Sequence, residues 1–224
     1  AMNPTHYDAI IIGGGPGGST VATYLAQAGR RVLLLEKEVF PRFHIGESLL
    51  PYNLSLFQEM GVLPALEQAG FPVKHGAQFH LSNRTASLKL KFRNGAFTRY
   101  TQTFQVERAR FDHILLQHAE QCGAEIRQGC TVTRTKSKES GVTVEWHTPE
   151  GLTAEGSADY LVDCSGRSNI TGNQEGLRVM HAHLRKVAIF GHFKGVRLDD
   201  GDSGGDTVIV RLADKWFWII PTAP

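Results

Sequence analysis

The chain has 224 residues, 41% of them hydrophobic, with 24 Lys and Arg against 22 Asp and Glu and a formal net charge of +2. That length can bury a real core in one large domain or one and a half, and the mixed, near-neutral charge leaves no basic stripe for nucleic acid. No apolar run is long enough to span a bilayer, so no membrane span is expected.

Asp8-Ala-Ile-Ile-Ile12 reads as a short buried strand, followed by the glycine turn Gly13-Gly-Gly-Pro-Gly-Gly18. A helical pattern comes next, with Val21, Tyr24, Leu25 and Ala28 on one face, and Gly29 suits its C-terminus. A second apolar strand, Val32–Leu35, ends on Glu36. Strand, glycine turn, helix, strand and acid is the order of a dinucleotide-binding unit. Gly13 permits the tight turn, Gly15 lets the backbone approach a pyrophosphate, and Gly18 lets the helix pack close to the strand. The helix N-terminus offers free N–H groups to phosphates, and Glu36 can accept from ribose hydroxyls. The acid argues against a ribose phosphate at this site, and the unit alone does not separate FAD from NAD.

Lys37 to Ser48 is polar and irregular. Pattern alone reads it as a surface loop, with Arg42 and Ser48 as candidate cofactor contacts. Pro51, Leu54, Phe57 and Met60 predict a helix ending at Gly61, and Leu63 to Ala69 a further short one. Short strands are predicted at 77–81, 88–92 and 103–106, with turns at Ser82-Asn83 and Asn94-Gly95. Arg108 opens a helix carrying Phe111, Leu115, Ala119 and Cys122 on one side, closed by Gly123, and 124–127 resembles another parallel strand. Thr131 to Ala158 reads as a β-meander, where Val142, Val144 and Trp146 alternate with Thr143, Glu145 and His147. Tyr160–Cys164 reads as a separate buried strand running into Ser165-Gly166, a place where strand ends meet a cofactor. Strands are predicted near 187–193, 207–212 and 216–220, and 199–206 reads as a turn or disordered tip. His181 and His183 share a strand face without a third ligand, so no metal site is expected. Cys122, Cys130 and Cys164 lack metal-type spacing and read as reduced thiols in a cytoplasmic protein. The run before Gly13 lacks the flanks of a signal peptide, and Ala1-Met2 reads as a cloning remnant before a native start.

Gly13-x-Gly15-x-x-Gly18, Phe40–Pro51, Val106-Glu-Arg108-x-x-Phe-Asp112 and Asp163-Cys-Ser-Gly-Arg167 together resemble the flavin-dependent halogenases, within the wider class of FAD-containing aromatic hydroxylases. Trp216-Phe-Trp218-Ile-Ile220-Pro221 resembles the W-x-W-x-I-P motif of the halogenases and decides between the two. The resemblance runs over nearly the whole chain. It implies that reduced FAD from a separate flavin reductase, oxygen and chloride or bromide yield hypohalous acid. Lys74 would be the catalytic lysine, polarising that oxidant or being halogenated itself beside a small aromatic substrate. A partly buried ammonium suits both options, since its pKa can fall toward neutrality. Trp216, Trp218, Ile220 and Pro221 would line the tunnel. Gly13, Gly15, Gly18, Glu36, Lys37, Arg42, Ser48, Leu49, Arg108, Asp163 and Gly166 would be the cofactor contacts.

The expected fold is α/β: a Rossmann-type FAD-binding parallel sheet with an inserted β-meander and an antiparallel substrate-domain sheet. The expected boundaries place the FAD-binding βαβ unit and its following helices at 1–72 and an inserted β segment of the substrate domain at 73–106. The FAD-binding domain continues over 107–175, and the substrate-domain sheet begins at 176–224. Family members continue for about as long again, so a C-terminal half of the polypeptide is an expected partner, and the chain alone is expected to bind FAD weakly and to be inactive. The expected activity is halogenation of an electron-rich phenol- or pyrrole-type ring, free or tethered to a carrier protein. Two alternatives stay open: an FAD monooxygenase or reductase on the same scaffold, and a non-catalytic nucleotide-binding fragment.

Overall fold

The computed structural model describes residues 6–81, 87–96, 99–184 and 186–222. In chain order its elements are β1 His6–Ile12, α1 Pro16–Gln27, β2 Val32–Glu36, α2 Asn53–Met60, α3 Leu63–Gln68, β3 Val73–Lys74, β4 Gly76–Leu81, β5 Ser87–Lys91, β6 Thr103–Phe104, α4 Arg108–Gln121, β7 Glu125–Gln128, β8 Thr131–Lys138, β9 Gly141–His147, β10 Thr153–Asp163, α5 Ile170–Gln174, β11 Thr207–Arg211 and β12 Trp216–Ile219. They divide into two compact units, one of residues 1–42 and 112–191, the other of 43–111 and 192–224.

The first unit is built on a six-stranded sheet in the order β7-β2-β1-β10-β9-β8. β7, β2, β1 and β10 run parallel, while β9 and β8 continue the sheet antiparallel. All five residues of β2 are buried, as expected of a parallel strand covered on both faces. The strand period sorts the core: Ile10, Ile12, Leu33 and Leu35 pack with Val132, Val144 and Trp146 on one face, and Ile11, Val32 and Leu34 pack with Ala22, Leu116 and Ala119 on the other. The predicted meander and the predicted strand at Tyr160–Cys164 are not separate, because β10 is one continuous strand of 11 residues. Its first half pairs with β9 and its second half with β1, so one strand joins the antiparallel and parallel parts of the sheet.

α1 departs from its predicted face. Its fully buried residues are Gly18, Ser19, Ala22 and Thr23, while Val21 and Leu25 pack at the margin. Small residues form the stripe because the helix lies close against the glycine turn, where long side chains have no room.

The second unit contains a four-stranded sheet, β12-β11-β4-β5, and a two-stranded pair, β3-β6. The outer pairs of the larger sheet are antiparallel, as expected, but β4 and β11 run parallel. The chain returns to β4's side only after a long excursion, and such a crossover allows parallel pairing. Leu54, Phe57 and Met60 are buried on α2, which ends at Gly61 in the left-handed conformation with φ 82°. Phe57, Phe71, Phe104 and Phe111 make a chain of tilted and edge-on aromatic contacts. The predicted turn at Ser82-Asn83 lies outside the described residues, whereas Phe92–Asn94 closes as a short 3-10 turn before Gly95.

Two predictions fail in the later chain. Residues 187–193 form no strand, and Val187 and Ile189 are over nine-tenths exposed. A strand needs a ladder partner, and among the described residues none runs beside this segment. His181 and His183 lie at a short 3-10 turn, Ala182–Leu184, and not on a strand.

Candidate active site

In the first unit the candidate residues converge where β1 and β10 end. Gly13 has φ +99°, and a side chain there would run into the Cys164 carbonyl. A side chain at Gly18 would run into the Gly13 carbonyl. Both positions therefore require glycine for the close approach of helix, turn and strand. Gly15 is different, because the nearest atom to a side chain there would be Arg42 Nη2 at 3.7 Å. Open space over Gly15 is what a phosphate-bearing ligand needs. The N-terminus of α1 has no side-chain cap, so its first N–H groups remain available to an anion.

Glu36 is buried, and its Oε2 accepts from the Gly14 N–H at 2.6 Å while Oε1 accepts from the Glu38 N–H at 2.8 Å. The two bonds tie the carboxylate to the glycine turn, and each oxygen keeps a lone pair for a ribose hydroxyl. Arg42 Nη1 donates to the fully buried Asp112 carboxylate at 2.7 Å, its Nε lies 3.2 Å from Glu38 Oε2, and the guanidinium stacks on Phe40 at 4.4 Å. Those contacts leave Nη2 beside Gly15. Lys37 is exposed.

Asp163 pairs in register with Ile12, so the end of β10 meets the glycine turn. Its carboxylate accepts from the Ser165 N–H and from both the N–H and hydroxyl of Thr171. Burial alone would raise its pKa, but these hydrogen bonds outweigh that and hold it below the usual aspartate value. The side chain is thus spent on shaping the turn, and Gly166, at φ +60°, presents only backbone. These residues fit a dinucleotide.

In the second unit the centre is Lys74. It is 4% exposed, on β3, with its Nζ donating to Ser48 Oγ at 2.8 Å and to the Leu49 carbonyl at 2.9 Å. The Phe92 ring lies 5.4 Å from the ammonium. Both hydrogen-bond acceptors are neutral. Burial pushes the ammonium from its ordinary 10.5 down to about 8, against a smaller upward pull from the Asp206 carboxylate. Ser48 is held in turn: its Oγ lies 2.6 Å from Thr207 Oγ1, which accepts from Gln105 Nε2 at 2.9 Å. Arg108 Nη1 donates to the Ile45 carbonyl at 2.8 Å and so braces the turn ahead of Ser48.

Trp216 and Trp218 lie on one face of the edge strand β12, opposite Arg211 and Ile209. They are 55% and 54% exposed, so they are not core aromatics of this chain. Ile220 is partly buried and Pro221 buried. The candidates therefore form two groups: Gly13, Gly15, Gly18, Glu36, Lys37, Arg42, Asp163 and Gly166 in one unit, and Ser48, Leu49, Lys74, Arg108, Trp216, Trp218, Ile220 and Pro221 in the other. Sequence reading missed Lys91, Gln105, Asp206 and Thr207, which surround Lys74. Asp206 ends a segment whose glycines and aspartates read as a turn tip, yet it is buried. Their order in the chain carries no signal, since they meet only through the pairing of β4 with β11.

The chain is similar to known proteins over almost its whole length. A 1H-pyrrole-2-carbonyl-peptidyl-carrier-protein chlorinase of Pseudomonas fluorescens is 32% identical over 98% of this chain and 54% of its own length. A tryptophan 2-halogenase of Chondromyces crocatus is 32% identical over 97% of this chain and 41% of its own. The chain thus spans about half the length of these curated relatives. Among solved structures, the myxobacterial chondrochloren halogenase CndH superposes with a TM-score of 0.84 at 31% identity, over 98% of this chain and 51% of that one. The FAD binding domain model matches residues 6–218, and the chain belongs to that family.

Proposed function

We propose that these residues are the FAD-binding and lysine-bearing part of a flavin-dependent halogenase that chlorinates or brominates an electron-rich aromatic ring of phenol or pyrrole type. The observation that carries the proposal is Lys74, a buried ammonium held only by neutral oxygens in a chain similar to named halogenases. FAD, when bound and reduced, supplies the electrons with which oxygen and halide give hypohalous acid. Gly13, Gly15, Gly18 and the open end of α1 receive the pyrophosphate, Glu36 the ribose, and Arg42 a phosphate oxygen beside Gly15. Lys37, Ser48, Leu49, Arg108, Asp163 and Gly166 complete the cofactor contacts.

A pKa of about 8 keeps both forms of Lys74 populated near neutral pH. The ammonium donates a hydrogen bond to the oxidant and polarises it. The amine can instead take the halogen, with its N–H proton and the hydroxide of the oxidant leaving as water. Trp216, Trp218, Ile220 and Pro221 line the oxidant's path and keep the organic ring from the cofactor. A separate flavin reductase, further polypeptide supplying the halide site and most of the substrate pocket, and a cytoplasmic setting belong to the same proposal. The name of the Pseudomonas relative supports a carrier-tethered substrate.

The test is product mass spectrometry on the whole protein with FAD, a flavin reductase, oxygen, bromide or chloride, and a panel of phenols, indoles and pyrroles. A halogen isotope pattern that disappears in Lys74→Ala is the expected result. An oxygen adduct indifferent to halide would overturn the proposal in favour of a monooxygenase.

A further inference from the structure

Lys74 is not the only lysine whose ammonium is held inside its unit. Lys91 of β5 is 14% exposed at its side chain, and all three of its N–H groups are committed. They go to the Asp202 carbonyl at 3.0 Å, Ser203 Oγ at 3.0 Å and Asp206 Oδ2 at 2.7 Å. The Asp206 side chain is fully buried, and its Oδ1 has no hydrogen-bond partner among the described residues. Asp206 is also brought to Lys74. The preceding Gly205 packs so tightly on β3 that a side chain there would run into the Val73 carbonyl, next to the Lys74 N–H. The β5 end is pinned to the same place, since Phe92 N–H donates to the His75 carbonyl at 2.9 Å.

We propose that Lys91 is a positioning residue for Lys74: by binding the Asp206 carboxylate it denies Lys74 a counter-ion and leaves that lysine on neutral oxygens. The elements around Lys74 carry other charged or titratable groups: Glu47 before Ser48, His75 after β3, His80 on β4, Lys89 and Lys91 on β5, Arg93 after it, and Asp199, Asp200, Asp202 and Asp206 before β11; β6 carries none. Of these, Asp206 is the one whose charge acts on Lys74, and it favours the ammonium. A buried and a partly buried lysine thus both bear on one buried carboxylate, and the hydrogen bond to Lys91 decides the balance. With Lys91 gone, the Asp206 carboxylate loses its 2.7 Å partner and its charge is released toward Lys74. That change favours the ammonium, since a nearby opposite charge raises a lysine pKa by about one unit or more. The amine form that the halogenase reading uses would then be scarce near neutral pH. The inference rests on that reading for its purpose and on the charge geometry for its content.

The test follows the carbon-13 resonance of the Lys74 Cε in lysine-labelled chain as pH is raised, assigned by its loss in Lys74→Met. In the unaltered chain the midpoint is expected near 8. Lys91→Met should raise it by about one pH unit or more, and Asp206→Asn should lower it by a similar amount. Lys91→Arg, which keeps the charge and the pair, should leave it in place, which a merely structural role for Lys91 does not require. Should Lys91→Met fail to fold, Asp206→Asn decides: a midpoint unchanged within about 0.2 units overturns the inference. A midpoint that falls in Lys91→Met also overturns it. Midpoints that move as stated in a protein that halogenates nothing would uphold the inference and sink the halogenase reading alone.

Discussion

A buried lysine with a pKa of about 8 makes a demand on stability that can be measured without any ligand. In the unfolded chain Lys74 returns to its ordinary 10.5. Below about pH 8 both states hold the proton, and the folded state carries the full cost of the buried charge. Between the two pKa values the unfolded state binds more protons, so unfolding free energy rises with pH, and above the higher value the cost is gone. The gap of two to three units, at about 1.4 kcal/mol per unit, corresponds to about 3 kcal/mol gained from low to high pH. Lys74→Met removes the titration but also takes a donor from Ser48 Oγ and the Leu49 carbonyl, which adds an offset independent of pH. The assay is urea unfolding of both proteins from about pH 7 to 10.5, followed by tryptophan fluorescence, to which Trp216 and Trp218 contribute from the unit that holds Lys74. The stability difference between the two should change by about 3 kcal/mol across that range, in favour of the unaltered chain at high pH. Parallel pH curves, differing by a constant within about 0.5 kcal/mol, would refute the buried-ammonium argument.

The glycine turn separates folding from binding. Gly18→Ala should destabilise by about 1–3 kcal/mol, since the added methyl meets the Gly13 carbonyl, and a thermal melt would detect it. Gly15→Ala should change stability by less than about 1 kcal/mol, because the space is open, yet weaken FAD binding as read by flavin fluorescence. Equal melting losses for the two would contradict the assignment of their roles. Trp146→Ala should cost about 3–5 kcal/mol in denaturant unfolding, since the ring is 2% exposed at the centre of one sheet face.

The nucleotide-binding unit was legible in the sequence because its signals are local. Gly13, Gly15, Gly18 and Glu36 fall within one strand-helix-strand run, and turn chemistry and strand period fix each of them. α4 was legible for the same reason, through Phe111, Leu115 and Ala119 at helical spacing. The face of α1 was misread because hydrophobicity points to Val21 and Leu25, whereas close approach selects Ser19 and Ala22. Residues 187–193 were misread because an apolar run specifies burial, not the partner that supplies it. Around Lys74 almost nothing was legible from pattern. Its burial depends on Ser48, Gln105 and Thr207, which come from three separated stretches and meet by strand pairing alone. A resemblance to a family found the lysine, but it could not find Lys91 or Asp206.

The place of β1 in its sheet bears on how the chain is made. On one side β1 pairs with β2, which follows almost at once. On the other it pairs with β10, and the His6–Ser157 contact spans 151 residues. Contacts so distant in sequence form late and slowly, because a long loop must close before they contribute. A chain emerging from the ribosome therefore presents the apolar edge of β1 unpaired until residue 163 has been translated, and the whole 43–111 segment is synthesised in that interval. Its yield in a cell should depend on what shields that edge during synthesis, more than on the final stability of the sheet.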